Sequence, residues 1–299
     1  MPKFSNLNSA LRLFCYGALL VMCAACTPRQ LIIRSVADEL AGQGQAPEND
    51  LGLARDASAF YLKLSESVLR ETPGNLKLSE AVAGGFTQYA FAFVAFDADR
   101  IENKDVKAAQ KLRERAARLY ERAHRHAMTA LEVNTPGFAK ALESPVAANW
   151  PRLNKEQVGT AYWAAASWGG LISLSKDKPD IVADLPLAIR LAGLAYASDP
   201  EWGEGALASL MGSFETARPG GSQQQATIYF DKAIALGKGK NAGAFVSKAE
   251  GIAQAANDRP AFEALLRQAL AACEARHELA NEVMCERAHW LLDNADDIF

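Results

Sequence analysis

The feature that most constrains this chain is a helical hydrophobic period that begins near residue 51 and never gives way to strand alternation. Apolar side chains recur three and four residues apart, and proline or glycine carries the main interruptions: Pro73-Gly74, Pro136-Gly137, Pro151, Pro179, Pro200, Pro219-Gly220-Gly221 and Gly237 to Gly243. Between them the pattern predicts helices over 51–70, 76–98, 103–133, 155–174, 185–198, 203–217, 222–236, 241–256, 259–274 and 278–293. Asn154 with Gln157 three residues on forms a capping box for the fourth. Nearly one residue in five is alanine, the residue with the lowest cost in a helix. The fold class is therefore all-α. A balance of 32 Lys+Arg against 35 Asp+Glu, net −3, offers nucleic acid no electrostatic attraction.

The helices come in pairs, and one spacing recurs among them. Ala188, Ala192, Ala195 and Pro200 are followed by Ala226, Phe230 and Ala233, then by Phe262, Leu266 and Ala269, with Ala116, Tyr120 and Ala123 upstream. This is the second-helix pattern of tetratricopeptide (TPR) repeats, in which small residues let paired helices approach and a large one plugs the next pair. The expected architecture is an α-solenoid or superhelical bundle of TPR-like helix pairs spanning 51–299.

The N-terminus reads as an export signal rather than as fold. Lys3 and Arg12 flank an uncharged apolar run from Leu13 to Ala25, too short to span a bilayer core of about 20 helical residues but suited to a signal peptide. Ala24-Ala25 directly before Cys26 is the small-residue site of a bacterial lipoprotein, so residues 1–25 are read as the signal and Cys26 as the acylated residue. An ordinary cleaved signal ending near Ala25 is the alternative. Thr27 in place of Asp after the acylated Cys points to the outer membrane, with the body facing the periplasm. Residues 26–50 then hold the lipid anchor, an N-terminal helix and a polar linker, Gly42 to Asp50.

Two helices stand out. In 76–98, Val82, Phe86, Tyr89, Phe93 and Phe96 share one face while Gly84 and Gly85 interrupt it, at about 1 kcal/mol each relative to alanine. Such a cost implies a close neighbour. In 155–174, Tyr162 lies on an apolar seam with Trp163 and Trp168 about 100° to either side. That helix is apolar nearly all round, so it is either enclosed by others or lines a cavity.

Catalytic chemistry is not visible. His124 and His126 point to different helix faces, and Ala165-Ala166-Ser167-Trp168-Gly169 imitates a nucleophile elbow in the middle of a helix, where the motif has no strand to turn from. Asp97, Asp99 and Glu102 lack the glycine and ligand order of a calcium loop and are read as ending one helix and capping the next. Gly237-Lys238-Gly239-Lys240 fails as a phosphate loop. Glu114 with Arg118 and Glu121 with Arg125 read as a solvated helix face. Cys273-x-x-x-His277 and Cys285-x-x-x-His289 leave three outcomes: a Cys273–Cys285 disulfide, two buried thiols, or a zinc site of no established spacing. No metal, cofactor or enzymatic activity is assigned.

Several blocks together carry a family resemblance: Pro73-Gly74-Asn75-Leu76, Gly85-Phe86-Thr87-Gln88-Tyr89-Ala90, Tyr120-Glu121-Arg122-Ala123, Tyr162-Trp163-Ala164-Ala165-Ala166-Ser167-Trp168-Gly169, Trp202-Gly203-x-Gly205-Ala206 and Arg287-Ala288-His289-Trp290-Leu291-Leu292. The chain resembles the TatT family, the TPR-containing T component associated with TRAP transporters. The resemblance implies a periplasmic lipoprotein that docks the TRAP substrate-binding subunit, assembles as a homotrimer and takes a small apolar or organic-acid ligand in a cleft of each protomer. Tyr162, Trp163, Trp168 and Trp202 are then the candidates to line the cleft, with Phe86 and Tyr89 next. The competing reading is a general envelope scaffold that binds protein and holds no small ligand.

Overall fold

A computed structural model describes residues 33, 35–42, 48 and 50–299. The signal segment 1–25, Cys26 and most of the polar break 42–50 lie outside these residues. Ten principal helices follow residue 50, and no strand occurs among the described residues. They are α1 (Leu51–Glu71), α2 (Leu76–Ala90, continued through a π turn at Phe91–Ala95 into Phe96–Ile101), α3 (Val106–Asn134), α4 (Lys155–Ser173) and α5 (Leu185–Ser198). The second half holds α6 (Ala206–Ala217), α7 (Gln223–Leu236), α8 (Ala242–Lys248, continued by a π segment at Ala249–Gln254), α9 (Arg259–Ala275) and α10 (Leu279–Asp293).

Most starts are fixed by a side-chain cap. Asp50, Asn75, Asp105, Ser222, Asn241 and Asp258 each accept a backbone N–H of the first turn, and Asn154 with Gln157 forms the reciprocal box expected from the sequence. Such a cap stabilises a helix by about 1 kcal/mol.

Two boundaries differ from the sequence expectation. Asp97 and Asp99 end no helix: α2 runs past them to Ile101, and Asp105 caps α3. Their side chains are taken up by Arg55 and by Arg113 and Arg287, which sequence spacing alone cannot reveal. The sixth helix starts at Ala206 rather than 203, because Gly203, Glu204 and Gly205 all have positive φ. On α3, Glu114, Arg118, Glu121 and Arg125 are exposed as the sequence reading expects, while Arg113 and Arg122 beside them turn to Glu102 and Glu66.

Packing proceeds mainly between successive helices, with added contacts between α2 and α4, α6 and α8, and α8 and α10. Apart from Pro200, which is exposed, every residue of the recurring pattern is buried: Ala116, Tyr120 and Ala123; Ala188, Ala192 and Ala195; Ala226, Phe230 and Ala233; Phe262, Leu266 and Ala269. The small members bring helix backbones together, and Phe230 shows the use of a large one, its ring filling the space beside Gly212. One apolar core runs through α1 to α6 around Leu78, Val82, Leu131, Leu191 and Leu207, and a second joins α8, α9 and α10 around Phe245, Phe262 and Leu266. The stretch Pro179–Ser198 is long and apolar enough to cross a membrane by length and composition, but α5 is wedged between α4 and α6 with Ala188, Leu191, Ala192 and Ala195 buried.

Candidate functional site

Helix α4 touches α2, α3, α5 and α6, which accounts for a sequence apolar almost all the way round. Most of its side chains are sealed in these contacts. Tyr162 and Trp163 are only half-buried and stand at the open edge, with ring centroids 4.7 Å apart in edge-to-face contact. Trp202 joins them from the turn before α6, 4.5 Å from Tyr162. The Tyr162 hydroxyl makes no hydrogen bond with any described residue, and burial pushes its pKa up to about 12.

Local backbone geometry holds Trp202 there. Gly203 (φ 64°, ψ 32°), Glu204 (φ 51°, ψ 39°) and Gly205 (φ 97°) make three consecutive left-handed residues, a conformation that glycine adopts freely and glutamate adopts only at a cost. Gly205 has a second reason to be glycine: a Cβ there would stand 2.8 Å from the Cα of Ala233 on α7. Glu204 is tied down by an ion pair with Arg276.

Where α2 crosses α4, two glycines make room for two large side chains. The Trp163 indole lies against Gly84, where an added Cβ would meet it at 2.7 Å. Reciprocally, the Glu80 carboxylate from α2 lies directly on Gly159 of α4. Glu80 has no hydrogen bond or ion pair among the described residues, and burial alone raises its pKa. The sequence reading missed Glu80; the signal available was the matched pair Glu80-x-x-x-Gly84 and Gly159-x-x-x-Trp163.

The remaining aromatic candidates lie elsewhere. Trp168 is buried on the far side of α4 against His124, with ring centroids 4.4 Å apart, and His124 is held by its Nδ1 on the Ala164 carbonyl. Burial lowers the His124 pKa against that hydrogen bond. Phe86 is buried beside His126 and under the Arg122 guanidinium, 5.0 Å from the ring centre. Tyr89 contacts Phe93 and faces Arg115. The structure thus brings Tyr162, Trp163 and Trp202 into one cluster and sets Trp168, Phe86 and Tyr89 outside it.

Below Phe86 sits a buried ion cluster. Glu66 of α1 accepts from Arg122 and His126 of α3 and from Lys63, at 2.8 Å for His126 Nε2 and 2.6 Å for Lys63 Nζ. Burial alone would raise the Glu66 carboxyl, but these donors outweigh it and hold its pKa at about 2. Cys273 and Cys285 meet across the turn between α9 and α10 as a bridged pair, with α-carbons 6.5 Å apart. Among the described residues no group of three or more His, Cys, Asp or Glu is arranged to hold a metal ion. Two surface hollows lie off the aromatic cluster, one against Asp99, Glu102 and Trp290, the other against Glu201, Glu204 and Arg276 beside the Trp202 turn.

Comparison with known proteins gives two findings. The family model described as "TRAP transporter T-component" matches residues 47–299. A protein of Treponema pallidum (strain Nichols), described as an uncharacterized protein, is 25% identical over 319 residues, covering 98% of this chain and 99% of that one.

Proposed function

We propose, for a chain that belongs to the TRAP transporter T-component family, that it is a lipid-anchored accessory subunit which docks the transporter's substrate-binding subunit and passes a small ligand through an aromatic-edged cleft. The family itself implies an accessory component of a TRAP transporter and is not a family of enzymes. The finer reading is ours. Cys26 carries the acyl chains, each buried methylene adding about 0.8 kcal/mol of membrane affinity, and the body faces the periplasm from the outer membrane. The helix pairs form a TPR-like superhelix, a reading supported by the burial of every member of the recurring pattern but Pro200 and by contacts between alternate helices. Assembly as a homotrimer completes the proposal.

The observation that carries the ligand half is the open edge of α4. Tyr162 and Trp163 of α4 and Trp202 from the turn before α6 form a contiguous cluster of half-buried rings, whereas the other tryptophan of α4, Trp168, is buried. Apolar burial against such rings, with a few polar groups for orientation, is how small ligands are commonly held. Trp168, buried on the far side of α4, is the packed wall behind, while Phe86 and Tyr89 lie outside the cluster.

The test is ligand retention measured by native mass spectrometry on the protein purified from the envelope. Trp163→Ala and Trp202→Ala are expected to lose a bound adduct while keeping the helical circular dichroism of the parent. Trp168→Ala, in the wall, is expected to cost about 3–5 kcal/mol of stability. A parent that carries no adduct, or an adduct unaffected by either edge substitution, contradicts the cleft and favours the protein-only scaffold.

A further inference from the structure

Several acids drawn into this helical stack have basic partners: Glu66 has Arg122, Asp97 has Arg55 and Glu250 has Arg287. Glu80 has neither a basic partner nor a hydrogen-bond donor among the described residues. Its carboxylate is half-buried between α2 and α4, and no cation offsets its desolvation. A carboxylate that gives up part of its hydration without gaining a partner keeps an open demand for a cation.

The sequence gives up helical stability to put it there. Gly159 and Gly84 both lie inside helices, where glycine is less favourable than alanine. A side chain at Gly159 would occupy the place of the Glu80 carboxylate, and one at Gly84 the place of the Trp163 indole. Glu80 and Gly84 are one turn apart on α2, and Gly159 and Trp163 are one turn apart on α4. The two contacts therefore lie side by side in the same helix crossing. Trp163 continues through Tyr162 to Trp202, so an unpaired carboxylate stands at one end of a row of three half-open aromatic rings.

The electrostatics of that arrangement have one sign. A carboxylate is an anion, and the face of an aromatic ring presents the negative part of its quadrupole, strongest for tryptophan. An organic acid brought to this edge meets repulsion, whereas an ammonium ion with an apolar body meets the carboxylate at one end and ring faces along its length.

We infer that the Glu80–Trp163 crossing is the recognition end of a site for a small organic ammonium ion, with Tyr162 and Trp202 receiving its apolar body. This rests on the cleft proposed above and narrows its ligand from apolar molecules or organic acids to cations.

The test uses the purified full-length protein and three probes of similar shape: benzyltrimethylammonium, its neutral isostere neopentylbenzene, and phenylacetate. Binding is followed by tryptophan fluorescence and by titration calorimetry. The cation is expected to bind at least tenfold more tightly than either other probe. Glu80→Gln is expected to abolish that preference while leaving neopentylbenzene binding unchanged, and Trp163→Ala to weaken both. A variant control comes from Glu80→Gln itself, which removes an unpaired charge and is expected to melt no lower than the parent. Phenylacetate or neopentylbenzene binding as tightly as the cation, or a Glu80→Gln protein that still prefers the cation, overturns the inference. If neopentylbenzene binds in a Trp163-dependent way without any preference for the cation, the cleft stands and only its cation selectivity falls. If no probe binds, the cleft and the inference fall together.

Discussion

Glu66 carries the interface between α1 and α3. Its side chain is 4% exposed and is met by Arg122, His126 and Lys63, so removing it leaves the half-buried Arg122 over Phe86, and the largely buried His126, without their carboxylate. Glu66→Ala is expected to cost about 3–5 kcal/mol, measured by chemical denaturation at neutral pH. The pH dependence has a definite sign. A carboxyl held at about 2 in the fold binds fewer protons than its unfolded form, so its contribution is present above the ordinary value of 4.5 and is lost as pH falls from there toward about 2. His126 acts in the same direction, because burial lowers its folded pKa and acid therefore favours the unfolded chain below the ordinary value of 6.5. Stability measured across pH 7 to 3 is expected to fall in the parent and to fall less steeply in Glu66→Gln. Parallel curves would count against this cluster. None of this was legible in sequence: Glu66 and Arg122 are 56 residues apart, and nothing local marks either as inward-facing. For Glu80 the glycine one turn away on α2 and its counterpart on α4 were a signal, but its environment depends on the register at which the two helices cross.

At the scale of elements the sequence was far more informative, because helix ends are local events. The cap at Asn154 and the proline–glycine breaks are read within four residues of where they act, and the predicted spans agree closely with α1 to α10. The misses have a common cause. The π turn at Phe91–Ala95 lets α2 continue past Asp97, and the three left-handed residues at 203–205 delay α6, and both depend on tertiary contacts. Glycine within a helix likewise has two meanings that only packing separates. Gly193 in α5 has open space where its Cβ would be, while Gly84 in α2 has the Trp163 indole. Gly193→Ala is expected to stabilise the protein by about 0.5–1 kcal/mol, and Gly84→Ala to destabilise it and shift tryptophan fluorescence. Equal effects at the two positions would contradict the assigned crossing of α2 and α4.

Across the whole molecule the chain returns on itself. Helix α10 contacts α1, and Val283 packs with Ala54, Ala92 and Phe93 from α1 and the π turn of α2. Trp290 meets Phe96 edge-on at 5.7 Å, and Arg100 pairs with Glu286. Arg287 is the hub. Its guanidinium, 13% exposed, bridges Glu250 at 2.6 Å and Asp99 at 3.2 Å while covering the rings of Phe91 and Phe96. Burial alone would lower its pKa, but those two carboxylates raise it above the ordinary arginine value. Arg287→Ala is expected to cost about 3–5 kcal/mol in denaturant unfolding, with loosening confined to the α1–α2–α10 junction as seen by hydrogen exchange. A uniform loss of protection would contradict a local clasp. This closure tightens the C-terminal helices against the N-terminal ones.

The central claim is that this chain works as a partner of a TRAP substrate-binding subunit, and association is its most direct test. The envelope-purified protein would be mixed with the substrate-binding subunit of its own transporter and weighed intact by native mass spectrometry. The account predicts a defined complex containing both proteins, with an acylated Cys26 in the T component and the small adduct present in one partner or the other. Two separate species at every concentration, with no shared ligand, would contradict it.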